Sequence, residues 1–208
     1  MIKNILFDWT GTVSDNLGVA YCAAMGIFRH YGAKRIPLRE YRKEWEQPYM
    51  IFFNKYLPKL TIRQQNDIFA QEIKFCKIPK PALGIKKLLR ELKTKGINLV
   101  VISGDSRSYV LAEIKRYGMQ GLFKEVNADV HDKREVIKSI LKRNKFKPEE
   151  TLIVGDTTHE IETGKMVGLK TAGVCWGIHS EQRLRAAKPD YIFRKAAELK
   201  KVFRRSHF

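Results

Sequence analysis

Ile2-Lys3-Asn4-Ile5-Leu6-Phe7-Asp8-Trp9-Thr10-Gly11-Thr12 carries an apolar segment straight into a carboxylate and a small, hydroxyl-rich turn. Such a segment favours a strand, and a carboxylate just past it stands beyond the sheet, where backbone amides of the turn can hold an anion. Taken alone, Asp8-x-Thr10-Gly11-Thr12 is also a capped turn. Further along, Ile97 to Ile102, Thr151 to Val154 and Thr171 to Cys175 are short apolar runs bounded by Gly, Asp or Lys. They alternate with helical patterns at Pro81 to Lys95, Ser106 to Tyr117, Asp132 to Asn144 and Thr158 to Val167. Continuous apolar strands alternating with helices predict an α/β fold. Its sheet is doubly wound and mostly parallel, and its ligands sit beyond the strands' carboxyl ends.

From about Asp15 to Lys80 that rhythm stops, and helical periodicity replaces it. Leu17, Tyr21, Ala24, Ile27, Phe28 and Tyr31 form one stripe, and Tyr49, Phe52, Phe53, Tyr56 and Leu57 another. Both read as packing surfaces of an inserted helical cap domain. Pro79 and Pro81 mark the return to the sheet. The chain therefore divides into an α/β core, residues 1–14 and 81–208, and a helical cap, residues 15–80.

The 208 residues include 44% apolar side chains, enough to bury a core and too many for a disordered chain. No run approaches the roughly 18 apolar residues of a membrane span, and the apolar opening is too short for a signal peptide. Cys22, Cys76 and Cys175 are odd in number and form no CxxC pair. That argues against a disulfide framework or zinc site and for a reducing cytoplasm. Forty Lys and Arg against 22 Asp and Glu give a formal charge of +18. The basic residues are spread along the chain with no nucleic-acid motif, so a solvated surface is favoured over nucleic-acid binding.

Chemistry gathers where strands end. Val100-Val101-Ile102-Ser103-Gly104-Asp105 offers a hydroxyl, and Leu152-Ile153-Val154-Gly155-Asp156-Thr157-Thr158-His159-Glu160 offers Asp156, with Glu160 one helical turn on. Lys133 opens a helix between them. Carboxylates sharing a crevice repel unless a cation joins them, and hard oxygen ligands with a phosphate favour Mg²⁺. A nearby ammonium would neutralise the remaining phosphate charge, as phosphoryl transfer through an aspartyl phosphate requires.

These four segments, in this order and with a cap after the first, resemble the haloacid dehalogenase superfamily of phosphohydrolases. The match runs on through Gly168-Leu169-Lys170-Thr171-Ala172-Gly173-Val174-Cys175-Trp176-Gly177 and Lys188-Pro189-Asp190-Tyr191-Ile192, similar to the tail of phosphoglycolate phosphatase-like members. The resemblance implies a Mg²⁺-dependent phosphatase of a small phosphorylated metabolite. Asp8 would be the nucleophile and first metal ligand, the Thr10 carbonyl a second ligand, and Asp156 would complete the site. Glu160 stands where the family usually has Asp and would reach the metal through water. Ser103 would bind the phosphoryl group together with Gly11, Thr12 and Gly104, and Lys133 would be the charge partner, with Lys138 a weaker candidate. His159 reads first as a surface or loop histidine.

Position 10 departs from the family pattern, which has Asp there as general acid and base. A Thr hydroxyl does not ionise usefully near neutral pH, and such assistance contributes about 10² to 10⁴ in rate, so slow turnover is expected unless Asp15, Asp105 or His159 supplies the proton. Asp8-Trp9-Thr10-Gly11-Thr12 is also close to the Asp-Trp-Ala-Gly-Thr of phosphonatases. Those enzymes need a cap lysine, for which Lys55 or Lys43 could serve. A third possibility is a weakly catalytic protein that holds nucleic acid or another polyanion.

Overall fold

The computed structural model describes residues 1–46, 49–130 and 132–203. Its strands are β1 (Asn4–Phe7), β2 (Ser14–Asp15), β3 (Lys80–Pro81), β4 (Asn98–Ile102), β5 (Glu125–Asn127), β6 (Thr151–Gly155), β7 (Lys170–Val174) and β8 (Tyr191–Phe193). Six of them form one sheet in the order β5-β4-β1-β6-β7-β8, with every neighbouring pair parallel. The fold is thus a doubly wound α/β core with an inserted helical region. From β1 the chain builds outward in both directions, so the crevice past Phe7, between β4 and β6, is the topological switch point where such sheets bind ligands.

Both faces of the sheet are buried, which accounts for the continuous apolar runs. Ile5 and Phe7 join Leu99, Val101, Leu152 and Val154 in the core on one face. Leu6 joins Val100, Ile102 and Ile153 on the other, as the two-residue period of a strand requires. On the first face lies α5 (Ile85–Thr94), burying Ile85, Leu88, Leu89 and Leu92 at i, i+3, i+4 and i+7. α6 (Arg107–Arg116) adds Val110 and Ile114 to the same core. α7 (Lys133–Asn144) contributes Ile137 and Ile140 to the opposite core. Caps fix the starts of the helices that border the crevice: Ser106 accepts from the Tyr109 N–H, and Asp132 from the Arg134 N–H. α8 (Thr158–Met166) starts on a Thr157/Glu160 capping box, and the short α9 (Glu181–Ala186) is capped by Ser180.

Between β2 and β3 come α1 (Leu17–His30), α2 (Leu38–Glu44), α3 (Met50–Tyr56) and α4 (Ile62–Glu72). Their own core is aromatic: Phe28 stacks on Phe52 at 5.9 Å, and Tyr41 meets Phe52 edge-on at 5.1 Å. The two crossings between cap and core run side by side as an antiparallel ribbon, Ser14 opposite Pro81 and Asp15 opposite Lys80. This ribbon explains why α5 begins at Ile85 rather than at Pro81. Pro81 is held in the pairing, and Gly84, at φ +79°, turns the chain into the helix.

One expectation is overturned. Cys22, on α1, and Cys76, just past α4, are joined in a disulfide, while Cys175 stays free in the core. Counting cysteines failed because the partners lie 54 residues apart and meet only when α1 and the end of α4 pack together. The inference of a reducing compartment loses its premise with it. Among the described residues no helix is long and apolar enough to cross a membrane.

Candidate active site

Asp8 continues the β1 ladder by donating its N–H to the Val154 carbonyl at 2.9 Å, which leaves its carboxylate just past the sheet. The chain then turns tightly, with the Val13 and Ser14 N–H groups both donating to the Trp9 carbonyl at 2.9 Å. Gly11 sits at φ +76°, and its N–H is taken by the Ser14 carbonyl and Asn16 Oδ1. The turn is nailed down from behind by Trp9, whose buried indole donates to Glu113 Oε2 at 2.8 Å. Glu113 is itself held by Tyr117 and Arg116.

Around Asp8 stand side chains from α7, α8 and the ends of β6 and β4. Lys133, the first residue of α7, reaches Asp8 Oδ1 at 2.7 Å and also pairs with Glu160. The other Glu160 oxygen accepts the Thr157 N–H and hydroxyl, so Glu160 caps α8 and holds the lysine at once. Asp156 ends β6, and its Oδ2 accepts the Ile178 N–H at 2.7 Å. Gly11 and Gly177 close over that carboxylate so tightly that a Cβ on either would collide with it. Ser103 ends β4 with its hydroxyl buried, and Gly104 stands exposed at the rim.

Three buried carboxylates, Asp8, Asp156 and Glu160, thus share one buried ammonium, Lys133. Burial drives Asp8 well above the usual carboxylate range against the pull of Lys133, and the charges of Glu160 and Asp156 add to the rise. Burial and then Glu160 push Asp156 up to about 7. Burial would also raise Glu160, but the adjacent Lys133 outweighs it and leaves Glu160 below its ordinary value. Burial likewise works against the Lys133 charge, and Asp8 and Glu160 more than offset it, so the ammonium stays protonated. With all three carboxylates ionised, their charges against the one ammonium would leave two uncompensated, which is what one divalent cation would offset. Among the described residues no three His, Cys, Asp or Glu side chains converge into a closed metal cage. Mg²⁺ does not need one, because it takes one or two carboxylates and completes its shell with waters and substrate phosphate. The donor set of Asp8, Asp156 and the Thr10 carbonyl therefore fits such an ion in chemistry and in charge.

Other expected residues fall elsewhere. Lys138 pairs with Glu135 on the exposed face of α7. Lys55 is half exposed and paired with Glu44, and Lys43 is 80% exposed, so neither is a desolvated amine. His159 lines a cleft of about 250 Å³ with Thr157, Glu46, Glu162, His179 and Arg183, beside the Asp156 strand end. Asp105, one of the three candidate proton sources, accepts hydrogen bonds from Thr10 and Ser103. Two arginines escape the sequence reading. Arg42, on the cap, donates to the Ile178 carbonyl at 2.8 Å and the His179 carbonyl at 3.2 Å. Arg183, on the core, returns the contact by donating to the Lys43 and Trp45 carbonyls and to Glu46. No local pattern marks an arginine that binds carbonyls 136 to 140 residues away.

A family model for haloacid dehalogenase-like hydrolases matches residues 5–174. The chain is 28% identical over 206 residues to the phosphoglycolate phosphatase of Synechococcus elongatus, covering 95% of each chain. It is 31% identical over 213 residues to pyrophosphatase PpaX of Bacillus pumilus, covering 95% of this chain and 94% of that one. A haloacid dehalogenase-like family hydrolase from Streptococcus pneumoniae superposes with a TM-score of 0.81 at 23% identity, over 98% of this chain and 99% of that one. At that identity it speaks for the fold alone.

Proposed function

The chain belongs to the haloacid dehalogenase-like hydrolases, and on that premise we propose that it is a Mg²⁺-dependent phosphatase acting on a small phosphorylated metabolite through an aspartyl phosphate. The observation that carries this reading is the Asp8–Lys133–Glu160 cluster at the switch point, with Asp156 across from it. The named activities of the two relatives, on phosphoglycolate and pyrophosphate, share a phosphoryl group carried by a small anionic leaving group.

In this reading Asp8 attacks phosphorus, and Lys133 holds it in place while neutralising phosphoryl charge. Glu160 keeps Lys133 protonated and aimed at Asp8. Ser103 presents its hydroxyl to the phosphoryl oxygens beside the exposed Gly104. Asp8, Asp156 and the Thr10 carbonyl hold Mg²⁺, which when bound offsets charge on the phosphoryl oxygens.

Hydrolysis of 4-nitrophenyl phosphate with and without Mg²⁺, combined with acid-quench capture of phosphoprotein, tests the reading. Asp8→Asn is expected to abolish both turnover and captured phosphate. Full activity in that variant would exclude the covalent route.

A further inference from the structure

The turn that follows Asp8 is anchored on one buried side chain. β1 ends at Phe7, the Asp8 N–H is still held by the Val154 carbonyl, and from Trp9 to Ser14 the chain leaves the sheet. The two ends of that turn close on each other, the Ser14 N–H donating to the Trp9 carbonyl at 2.9 Å. Both ends also lead to Glu113, which is fully buried on α6. Its Oε2 accepts the Trp9 indole N–H at 2.8 Å, and its Oε1 accepts the Tyr117 hydroxyl at 2.9 Å. The Tyr117 oxygen lies 2.9 Å from Ser14 Oγ. A carboxylate only accepts, so Tyr117 gives its proton to Glu113 and takes the Ser14 hydroxyl as donor. Arg116 completes the Glu113 shell from the exposed side at 2.5 Å.

A buried carboxylate is costly unless its oxygens are paired, and α6 is already secured in the core by Val110 and Ile114. What Glu113 adds is direction, because hydrogen bonds fix orientation where apolar contacts do not. Asp8 is bounded by the sheet ladder on one side and by Trp9 on the other, so its backbone takes its course from where Trp9 is held. The middle of the turn has a separate tie, the Trp176 indole donating to the Thr12 carbonyl at 3.0 Å. Losing Glu113 would therefore shift the turn rather than release it.

We propose that Glu113 is a positioning residue for the nucleophile: by holding Trp9 directly and Ser14 through Tyr117, it sets the turn that aims Asp8 at phosphorus. The proposal rests on the phosphatase reading above. Glu113 is too deeply buried to meet the substrate and acts only through the turn. Attack needs the reacting atoms aligned, and a misplacement of about 1 Å costs about 10²-fold in rate. Ser103 and Lys133, which bind the phosphoryl group in that reading, stand at the end of β4 and on α7, outside the turn. Loss of the anchor is thus expected to slow attack while leaving substrate binding in place.

The test compares the unmodified protein with Trp9→Phe, Glu113→Leu, Glu113→Gln and Val110→Ala on 4-nitrophenyl phosphate with saturating Mg²⁺. Steady-state kinetics are joined to rapid acid quench of the first turnover, at a temperature where circular dichroism finds each variant folded. Trp9→Phe keeps a ring in the core and removes the indole N–H, so it carries the test should Glu113→Leu fail to fold. Both are expected to form phosphoprotein about 10 to 10² times more slowly, with KM close to that of the unmodified protein. Glu113→Gln retains an oxygen for the indole and should recover most of the rate. Val110→Ala, one turn away on the same helix, should lower the urea midpoint and leave the rate in place. An unchanged rate in Trp9→Phe, a loss confined to KM, a Glu113→Gln variant as slow as Trp9→Phe, or equal slowing in Val110→Ala would each overturn the positioning role while leaving the phosphatase reading intact. No hydrolysis and no phosphoprotein from the unmodified protein would overturn both.

Discussion

At His179 a single imidazole ties three pieces of the site together. Its backbone N–H donates to the Asp156 carbonyl, and its Nδ1 accepts the Thr158 N–H at 3.0 Å. Burial, and then the nearby Arg183 charge, lower its pKa to about 4. Protonating Nδ1 would set one N–H against another, so the folded state keeps the ring neutral while the unfolded chain titrates near 6.5. The resulting stability is complete above about pH 6.5 and is lost as pH falls toward 4, by up to about 3 kcal/mol. Urea midpoints of His179→Gln and the unmodified protein are expected to converge as pH drops from 7 to 4.5. A gap of constant size would show that the ring does not titrate with folding. His179 had no marker in the sequence, whereas Asp8 and Asp156 did, because an Asp that ends an apolar run is visible without knowing the fold. The contact between Thr10 and Asp105 was hidden for the same reason as that of His179. It joins residues 95 positions apart, brought together by β1 pairing beside β4.

Helices and strands were legible in proportion to how much apolar side chain they carry. β1, β4, β6 and β7 are continuous runs, and the core helices show their spacing. β5 and β8 have three residues each at the two sheet edges, and Glu125-Val126-Asn127 carries no strand signal of its own. β5 exists because it pairs with β4 and because Arg143 and Asn144 of α7 bind its Glu125. Between α2 and α9 the two arginines make a reciprocal clamp. Arg42 holds the carbonyls of the 178–179 segment, which in turn gives Asp156 its Ile178 N–H. Cap position is thereby coupled to the orientation of a proposed metal ligand. Arg42→Ala is expected to cost roughly 1.5 to 3 kcal/mol of stability from charged hydrogen bonds and to weaken Mg²⁺ binding. Urea unfolding and calorimetric Mg²⁺ titration check the two effects separately. Unchanged Mg²⁺ affinity in a destabilised protein would mean that the clamp holds the cap without aligning Asp156.

As a whole, the molecule is two cores joined by a two-stranded ribbon, with a site that borrows from every side of the crevice. The sheet supplies Asp8, Ser103 and Asp156 from three neighbouring strand ends, and α7 and α8 supply Lys133 and Glu160. The cap, by contrast, is a covalently closed ring. The Cys22–Cys76 bond encloses the segments joining α1 to α2 and α3 to α4, where Lys34, Arg35 and Lys59 are exposed. Trypsin cutting once at any of them opens the backbone but leaves both pieces threaded through the same bond. On a denaturing gel the nicked chain should therefore run as one band without thiol and as two fragments with it. A cut in the core should give two fragments under either condition. Within the cap, a severed peptide bond does not yet separate the molecule into two.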